Sequence, residues 1–344
     1  MGVDLGEVLR KRKILLDDIS GKSLAVDAYN TLYQFLAIIR QPDGTPLMDR
    51  QGRVTSHLSG ILYRTSNLAE KGIRIVYVFD GRPPELKEME IKRRRKVREE
   101  AAVKYEGALK AGKIEEARKY AQATATLREL MVEDSKRLLE TLGIPWVQAP
   151  SEGEAQAAQM AAKGDVWAAA SQDHDSLLFG APRMVRNLTI SGKRKLPRRQ
   201  AYVEVEPELV DLSEVLTDLA LTHEQLVDVG ILVGTDYNPD GVRGIGPKTA
   251  LKLVKESGSL EELAARTREL DLPENIERIR EIFLKPEVRH DYALNWKKPE
   301  DEEVVRFLCR ERDFSEDRVR KALEKMHAGL SRPATKPTLE RYFG

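Results

Sequence analysis

The chain has 344 residues, 41% of them hydrophobic and 33% charged. That is enough apolar material for one large core or two, and it excludes wholesale disorder. Its 57 basic and 56 acidic residues nearly cancel, so bulk charge names no partner; any electrostatic function must come from segregation.

Short, apolar, β-branched runs predict strands at residues 24–26, 73–79, 144–147, 166–170, 184–188 and 202–205. Apolar residues at helical spacing predict helices near 30–40, 55–71, 125–142, 152–163 and 213–233. Strands alternating with helices define an α/β fold: a mostly parallel, twisted sheet with helices on both faces. Two stretches break the alternation. Residues 82–125 hold no strand and are crowded with charge, and residues 240–330 read as all-helical. From Ser331 the chain carries Pro333 and Pro337 and reads as a loose tail. We therefore expect one domain over 1–330, made of parts 1–81, 82–125, 126–239 and 240–330, followed by a tail at 331–344.

The informative feature is what ends each apolar run. Val26 runs into Asp27, and Phe79 into Asp80. Residues 144–147 lead to Glu152 and Glu154, and residues 166–170 to Asp173 and Asp175. A fifth apolar run, Ile231, Leu232 and Val233, ends in Gly234, Thr235 and Asp236. In open parallel sheets the ligand crevice lies at the carboxyl ends of the strands. Each acid alone reads as a turn or N-cap residue, and Ser151 to Glu154 fits a capping box. Isolated caps do not require acids after four strands of one sheet. Nor do they require Asp173 and Asp175 at a spacing of two, on one side of an extended chain.

Two carboxylates ~4 Å apart repel by roughly 4 kcal/mol at an effective dielectric of 20. Seven gathered together must protonate or bind cations. An all-oxygen donor set favours Mg²⁺ or Mn²⁺. The five histidines are scattered, and Cys309 is the only cysteine, so neither zinc nor an internal disulfide is expected. A two-ion acidic site suits phosphoryl-ester hydrolysis. No Ser, Cys or His nucleophile constellation competes with it.

Basic residues gather beside the acids. From Glu85 to Arg98 there are seven basic residues against three acidic ones. Lys87 and Arg94 are seven apart, two helical turns, and share a face if the segment is helical. Charge there can neutralise a scissile phosphate, and Lys92 to Lys96 can grip further ones. A second cluster, Lys193 to Lys195 with Arg198 and Arg199, reads as a basic surface loop. Gly241 to Ala250 reads as a glycine turn opening a helix at Pro247, with Lys248 next. Amides in such a place bind phosphate without reading bases. The tail ends Leu339, Glu340, Arg341, Tyr342, Phe343, a sequence suited to docking in a partner's apolar pocket or folding back onto its own domain.

With these residues in hand, the chain resembles the flap endonucleases, structure-specific 5′ nucleases of DNA replication and repair. The similarity rests on VDAYNTLYQF at 26–35, VFDGRPPELK at 78–87, APSEGEAQAA at 149–158, SQDHDSLLFG at 171–180, GTDYN at 234–238 and GIGPKTALKL at 244–253. Tail and composition are closest to archaeal members. The resemblance implies a helical arch over the active site and a helix-two-turn-helix module. It implies metal ligation by Asp27, Asp80, Glu152, Glu154, Asp173, Asp175 and Asp236, and catalytic roles for Lys87 and Arg94. It places Gly2, Tyr33, Arg40, Arg64, Gly244, Gly246 and Lys248 near DNA, Tyr33 as a stacking residue. It implies two Mg²⁺, replaceable by Mn²⁺, and K⁺ at the glycine turn. Leu339, Tyr342 and Phe343 resemble the sliding-clamp docking motif, with Lys336 where a Gln is usual.

The expected activity is hydrolysis of one phosphodiester near the base of a 5′ flap, with 5′-3′ exonuclease activity beside it. Rival readings are a ribonuclease or simple exonuclease, a PIN-like RNA-processing enzyme, and a non-catalytic junction-binding protein. No apolar run reaches the ~18 residues of a membrane span. The expectation is a monomer with no membrane association, cytoplasmic in an archaeal cell or nuclear in a eukaryotic one.

Overall fold

In the computed structural model, residues 2–190, 192–195, 202–266, 270 and 272–330 are described. The first part runs β1 (Arg12–Lys13), β2 (Ser23–Asp27), α1 (Ala28–Ile38), α2 (Ser56–Glu70) and β3 (Arg74–Phe79). Helices α3 (Glu88–Lys110), α4 (Ile114–Ala121) and α5 (Glu129–Thr141) follow, then β4 (Trp146–Gln148), α6 (Gly153–Ala162), β5 (Ala168–Ala170), α7 (Asp175–Leu178) and β6 (Arg183–Arg186). Next come β7 (Gly192–Lys195), β8 (Tyr202–Val205), β9 (Glu208–Asp211), α8 (Leu212–Leu219) and α9 (His223–Val233). The chain closes with α10 (Pro247–Ser257), α11 (Leu260–Arg266), α12 (Ile276–Leu284), α13 (Asp301–Val305) and α14 (Glu316–Leu330).

Seven strands form one sheet in the order β1-β9-β6-β5-β2-β3-β4. The five strands from β6 to β4 are parallel, while β9 and β1 add antiparallel at one edge. This is the expected α/β class. Alternation along the strands feeds two cores. Leu24, Val26, Ile75, Tyr77 and Phe79 face the side of α1, α2, α5 and α14. Ala25, Val76, Val78 and Val147 face the side of α6, α9, α10 and α12. Both sets are buried, which is why the strands read as continuous apolar runs.

Several expectations are corrected. Residues 202–205 form β8, which pairs with β7 in a separate two-stranded ribbon rather than joining the main sheet. The apolar run Ile231 to Val233 ends helix α9, inside the span expected to be helical, so Asp236 follows a helix. The helix expected over 213–233 is two helices. Ala220 breaks it with a left-handed φ of 45°, and Thr222 starts the next with a capping box to Gln225. After α12 the chain runs without regular structure until α13. It is tied back by Gln156, whose amide exchanges bonds of 2.9 and 2.7 Å with the Arg289 backbone.

Candidate active site

The carboxyl ends of β2, β3 and β5, the loop after β4 and the end of α9 meet in one crevice. Asp27 ends β2, caps α1 and accepts the Asn30 N–H at 3.0 Å. Asp80 follows β3 and accepts the Gly153 N–H at 2.6 Å. Glu152 stands at the N-cap of α6 and Glu154 in its first turn, where unpaired amides favour negative charge. The N-cap of α6 is Glu152 rather than Ser151, and it makes no side-chain capping bond, so the capping-box reading is not realised. Asp173 lies in the bend after β5, and Asp175 opens α7 and accepts the Val3 N–H at 2.7 Å. These two are thus brought together by a helix start, not by an extended chain. Asp236 follows Gly234, which leaves α9 at a φ of +114°. A Cβ on Gly2 would stand 2.5 Å from the Asp175 carboxyl, and one on Gly153 2.6 Å from Asp80 Oδ1.

The acids feel one another. Burial, then Asp80, pushes the Asp27 carboxyl well above its ordinary range, with Asp173 adding to the effect. Burial, then Asp175, Asp27 and Asp173, does the same to Glu154. Asp175 is pushed up to about 7 by burial, Asp236 and Asp173. Asp80 and Glu152 are raised chiefly by burial, with Lys87 opposing. Burial also works to raise Asp236, but Lys87 and Arg94 hold it below the usual range.

The two cations reach in from the start of α3. Lys87 Nζ lies 2.5 Å from Glu152 Oε2 and 3.2 Å from Asp236 Oδ2. Arg94 Nη2 lies 2.5 Å from Asp236 Oδ1, and its Nε is 2.7 Å from Glu90 Oε1. They do share a face, and Asp236 joins them. Among the described residues no three His, Cys, Asp or Glu side chains close into one tight ion-holding group; Lys87 and Arg94 are drawn in among the carboxylates. The donor set itself, all oxygen and mutually repelling, fits a hard divalent cation.

A pH dependence of stability follows. Carboxyls raised in the folded state bind protons there at a pH where the unfolded chain has released them. Their contribution is therefore full below the ordinary carboxyl value of 3.8 and is lost as pH rises toward about 7, the value for Asp175. The melting temperature of EDTA-treated protein is expected to fall by several degrees from pH 5 to pH 8. Added Mg²⁺ or Ca²⁺ is expected to restore it more at pH 8 than at pH 5. Scanning calorimetry at the two pH values checks both; a metal effect equal at the two would contradict the assignment.

Around the crevice, Tyr33 is partly buried on α1, and the Arg98 guanidinium lies 5.9 Å from its ring centre. Arg40 bonds to the Leu36 and Gly44 carbonyls, each at 2.9 Å, and so is engaged by its own turn. Arg64, half-buried on α2, lines a groove with Asp17, Asn67 and Lys71. Gly244 has a φ of +81°, Gly246 is the N-cap of α10, and Pro247 is its first residue. Apart from the chain neighbours, no atom lies within 4 Å of a Cβ placed on either glycine, so the turn is open on that side. Lys248 is exposed and 3.5 Å from Glu7. Leu339, Tyr342 and Phe343, like Arg198 and Arg199, lie outside the described residues.

Some residues around the acids were not singled out from sequence. Ser171 donates to Glu154, and Asn30 to Asp173 at 3.1 Å. Gln148 donates to the Asp80 carbonyl at 2.6 Å and accepts from Lys136 Nζ at 2.7 Å. Lys136 stands over the rings of Phe79 and Trp146, 4.9 and 4.5 Å from their centres. Asn30 had a signal, three residues after a strand-ending Asp, where an N-cap finds its amide. For Gln148 there was none, because its contact depends on the pairing of Phe79 with Gln148 across β3 and β4.

A parallel sheet with acids at its carboxyl edge and cations facing them suits phosphoryl-ester hydrolysis. The XPG N-terminal domain model matches residues 1–101 and the XPG I-region model residues 143–236. Flap endonuclease 1 of Pyrococcus abyssi is 55% identical over 343 residues, covering 100% of this chain and 98% of the relative. That of Caldivirga maquilingensis is 56% identical over 350 residues, with 100% of both covered. The solved flap endonuclease-1 from Methanococcus jannaschii aligns with a TM-score of 0.76 at 44% identity, covering 96% of this chain and 99% of that one. The chain belongs to the flap endonuclease family of structure-specific 5′ nucleases. The catalytic core of Rad2, solved with a DNA substrate, shares the fold with a TM-score of 0.69 at 23% identity.

Proposed function

We propose that the protein binds branched DNA and hydrolyses one phosphodiester near the base of a 5′ flap, in replication and repair, and also degrades 5′ ends. The supporting observation is the meeting of seven carboxylates with Lys87 and Arg94 at the carboxyl edge of one sheet. The carboxylates of Asp27, Asp80, Glu152, Glu154, Asp173, Asp175 and Asp236 would hold two Mg²⁺, or Mn²⁺ in their place. Such ions lower the pKa of water and offset charge on the attacking and leaving oxygens.

The chain's own groups do the rest. Asp236 keeps Lys87 and Arg94 charged and at the crevice, where they meet negative charge on the scissile phosphoryl group. The basic residues that continue along α3 hold the flap, and α3 with α4 forms the arch. The amides of Gly244 and Gly246, with Lys248, hold duplex phosphates, aided by K⁺. Tyr33 stacks on a base, and Arg40 and Arg64 lie along the DNA. Leu339, Tyr342 and Phe343 dock on a sliding clamp. The enzyme works as a monomer in the cytoplasm of an archaeal cell.

Labelled 5′-flap DNA, linear duplex, single strand and an RNA flap, each in Mg²⁺ and in EDTA, test this reading. The flap is expected to be cut near its base and much faster than the other three, and EDTA to stop all cleavage. Equal rates on flap and linear substrates would leave a simple exonuclease.

A further inference from the structure

Asn30 stands in the first turn of α1 and holds two acids at once. Its backbone N–H donates to Asp27 Oδ1 at 3.0 Å, and its side-chain Nδ2 donates to Asp173 Oδ2 at 3.1 Å. Asp27 ends β2 and Asp173 lies in the bend just past β5, the neighbouring strand, so one residue ties the two together. A side-chain amide can be turned either way. Turned over, Asn30 would point its carbonyl oxygen at a carboxylate, setting acceptor against acceptor.

What fixes the amide lies further from the acids. Gln34, one turn along α1, donates from Nε2 to Asn30 Oδ1 at 2.9 Å. Its own Oε1 accepts from the Thr189 hydroxyl at 3.2 Å. Thr189 is buried in the short turn Leu188–Ile190 that follows β6. Facing a carbonyl oxygen, the hydroxyl must donate. Every donor in the series therefore points the same way, from Thr189 through Gln34 and Asn30 to Asp173. Asn30, Gln34 and Thr189 line a small, partly open pocket of about 10 Å³, room for about one ordered water.

We propose that Thr189, Gln34 and Asn30 form a one-way relay that orients the Asp173 carboxylate, and that Asn30 and Gln34 are positioning residues for the hydrolysis. The proposal rests on the reading that Asp27 and Asp173 serve that reaction. Gln34 is the telling member, because among the described residues it bonds only to Asn30 and Thr189. In Gln34→Glu the new carboxylate has no hydrogen to give. Asn30 then turns its Nδ2 toward it and presents its oxygen to Asp173. Gln34→Met removes the partner without reversing it.

The test compares Asn30→Ala, Gln34→Glu, Gln34→Met and Asp173→Asn with wild type. The readouts are single-turnover flap cleavage, junction affinity, melting temperature and Mn²⁺ affinity of the DNA-free protein by calorimetry. Asn30→Ala keeps the backbone bond to Asp27 and isolates the side chain. Residues that orient metal-holding groups typically carry about 10- to 100-fold in metal affinity or activity. Asn30→Ala and Gln34→Glu are expected to lose about tenfold or more in rate and in Mn²⁺ affinity. Junction affinity stays within about twofold of wild type, and Gln34→Met loses less than Gln34→Glu. Wild-type Mn²⁺ affinity and rate in Gln34→Glu overturn the relay, as does an equal loss in Gln34→Met and Gln34→Glu. Full activity in Asp173→Asn instead removes the premise that Asp173 serves the reaction, and the relay falls with it.

Discussion

Replacing Asp173 by Asn is expected to abolish flap cleavage while leaving junction binding near the wild-type level. The substitution is close to isosteric, and the new side-chain oxygen still accepts the Asn30 amide that now lies 3.1 Å from Oδ2. What is lost is one negative charge that four neighbouring groups feel. Asp173 raises Asp27, Glu154 and Asp175 and favours charge on Arg94. Metal-assisted stabilisation of a developing phosphoryl charge is worth several kcal/mol, so the rate is expected to fall ~10³-fold or more. With one repelling charge removed, Asp27, Glu154 and Asp175 ionise more easily, and the EDTA-treated variant is expected to melt above wild type at pH 8. Rapid-quench cleavage, fluorescence anisotropy on a flap junction in Ca²⁺, and calorimetry read the three effects. Wild-type-like turnover would remove Asp173 from the site.

The α/β layering was legible because buried parallel strands carry few polar residues, and helices between them keep their own period. The misses have local causes. β1 is two exposed residues, Arg12 and Lys13, with no apolar content to read. β9, Glu208–Asp211, has two apolar residues between acids, and it forms because it pairs antiparallel with β6. The strand pattern at Tyr202–Val205 was real, but nothing in it could tell the main sheet from a ribbon with Gly192–Lys195.

The acids of the candidate site were legible for a different reason: the rule that strand ends converge in a parallel sheet turns separate sequence positions into neighbours. The groups that orient those acids were not. The bond from Asn30 to Asp173 spans 143 residues. The direction of each amide is set by the next partner along, which no single segment contains. Likewise, Lys87 was read as a group for the substrate phosphate. Its place between Glu152 and Asp236 required the fold.

That placement makes Lys87 the second informative substitution. Its side chain is only 15% exposed, and burial alone would favour the neutral amine. Glu152, Asp236 and Asp80 overcome burial and hold the ammonium above its ordinary range. Lys87→Ala therefore removes a charge that favours ionisation of five carboxyls, Asp27, Asp80, Glu152, Asp175 and Asp236. Two outcomes are expected, and they separate chemistry from scaffolding. Single-turnover cleavage should slow by about 10²–10³-fold, the usual cost of removing one group aimed at developing charge. Junction affinity should change far less, because Lys92 to Arg98 remain to meet phosphates. Without divalent cations, the variant should also melt below wild type, by more at pH 8 than at pH 5. The sign follows from Asp80 and Glu152, whose carboxyls are raised in the folded state: nearer protonation at pH 5, they need the ammonium less, and ionised at pH 8 they repel, while Asp236, held low, is charged at both. Divalent cations should close the stability gap but not the rate gap, since they neutralise the acids without replacing the amine at the phosphate. A rate that recovers together with stability would make Lys87 a scaffold for the acids, and equal losses in rate and affinity would make it a DNA-binding residue.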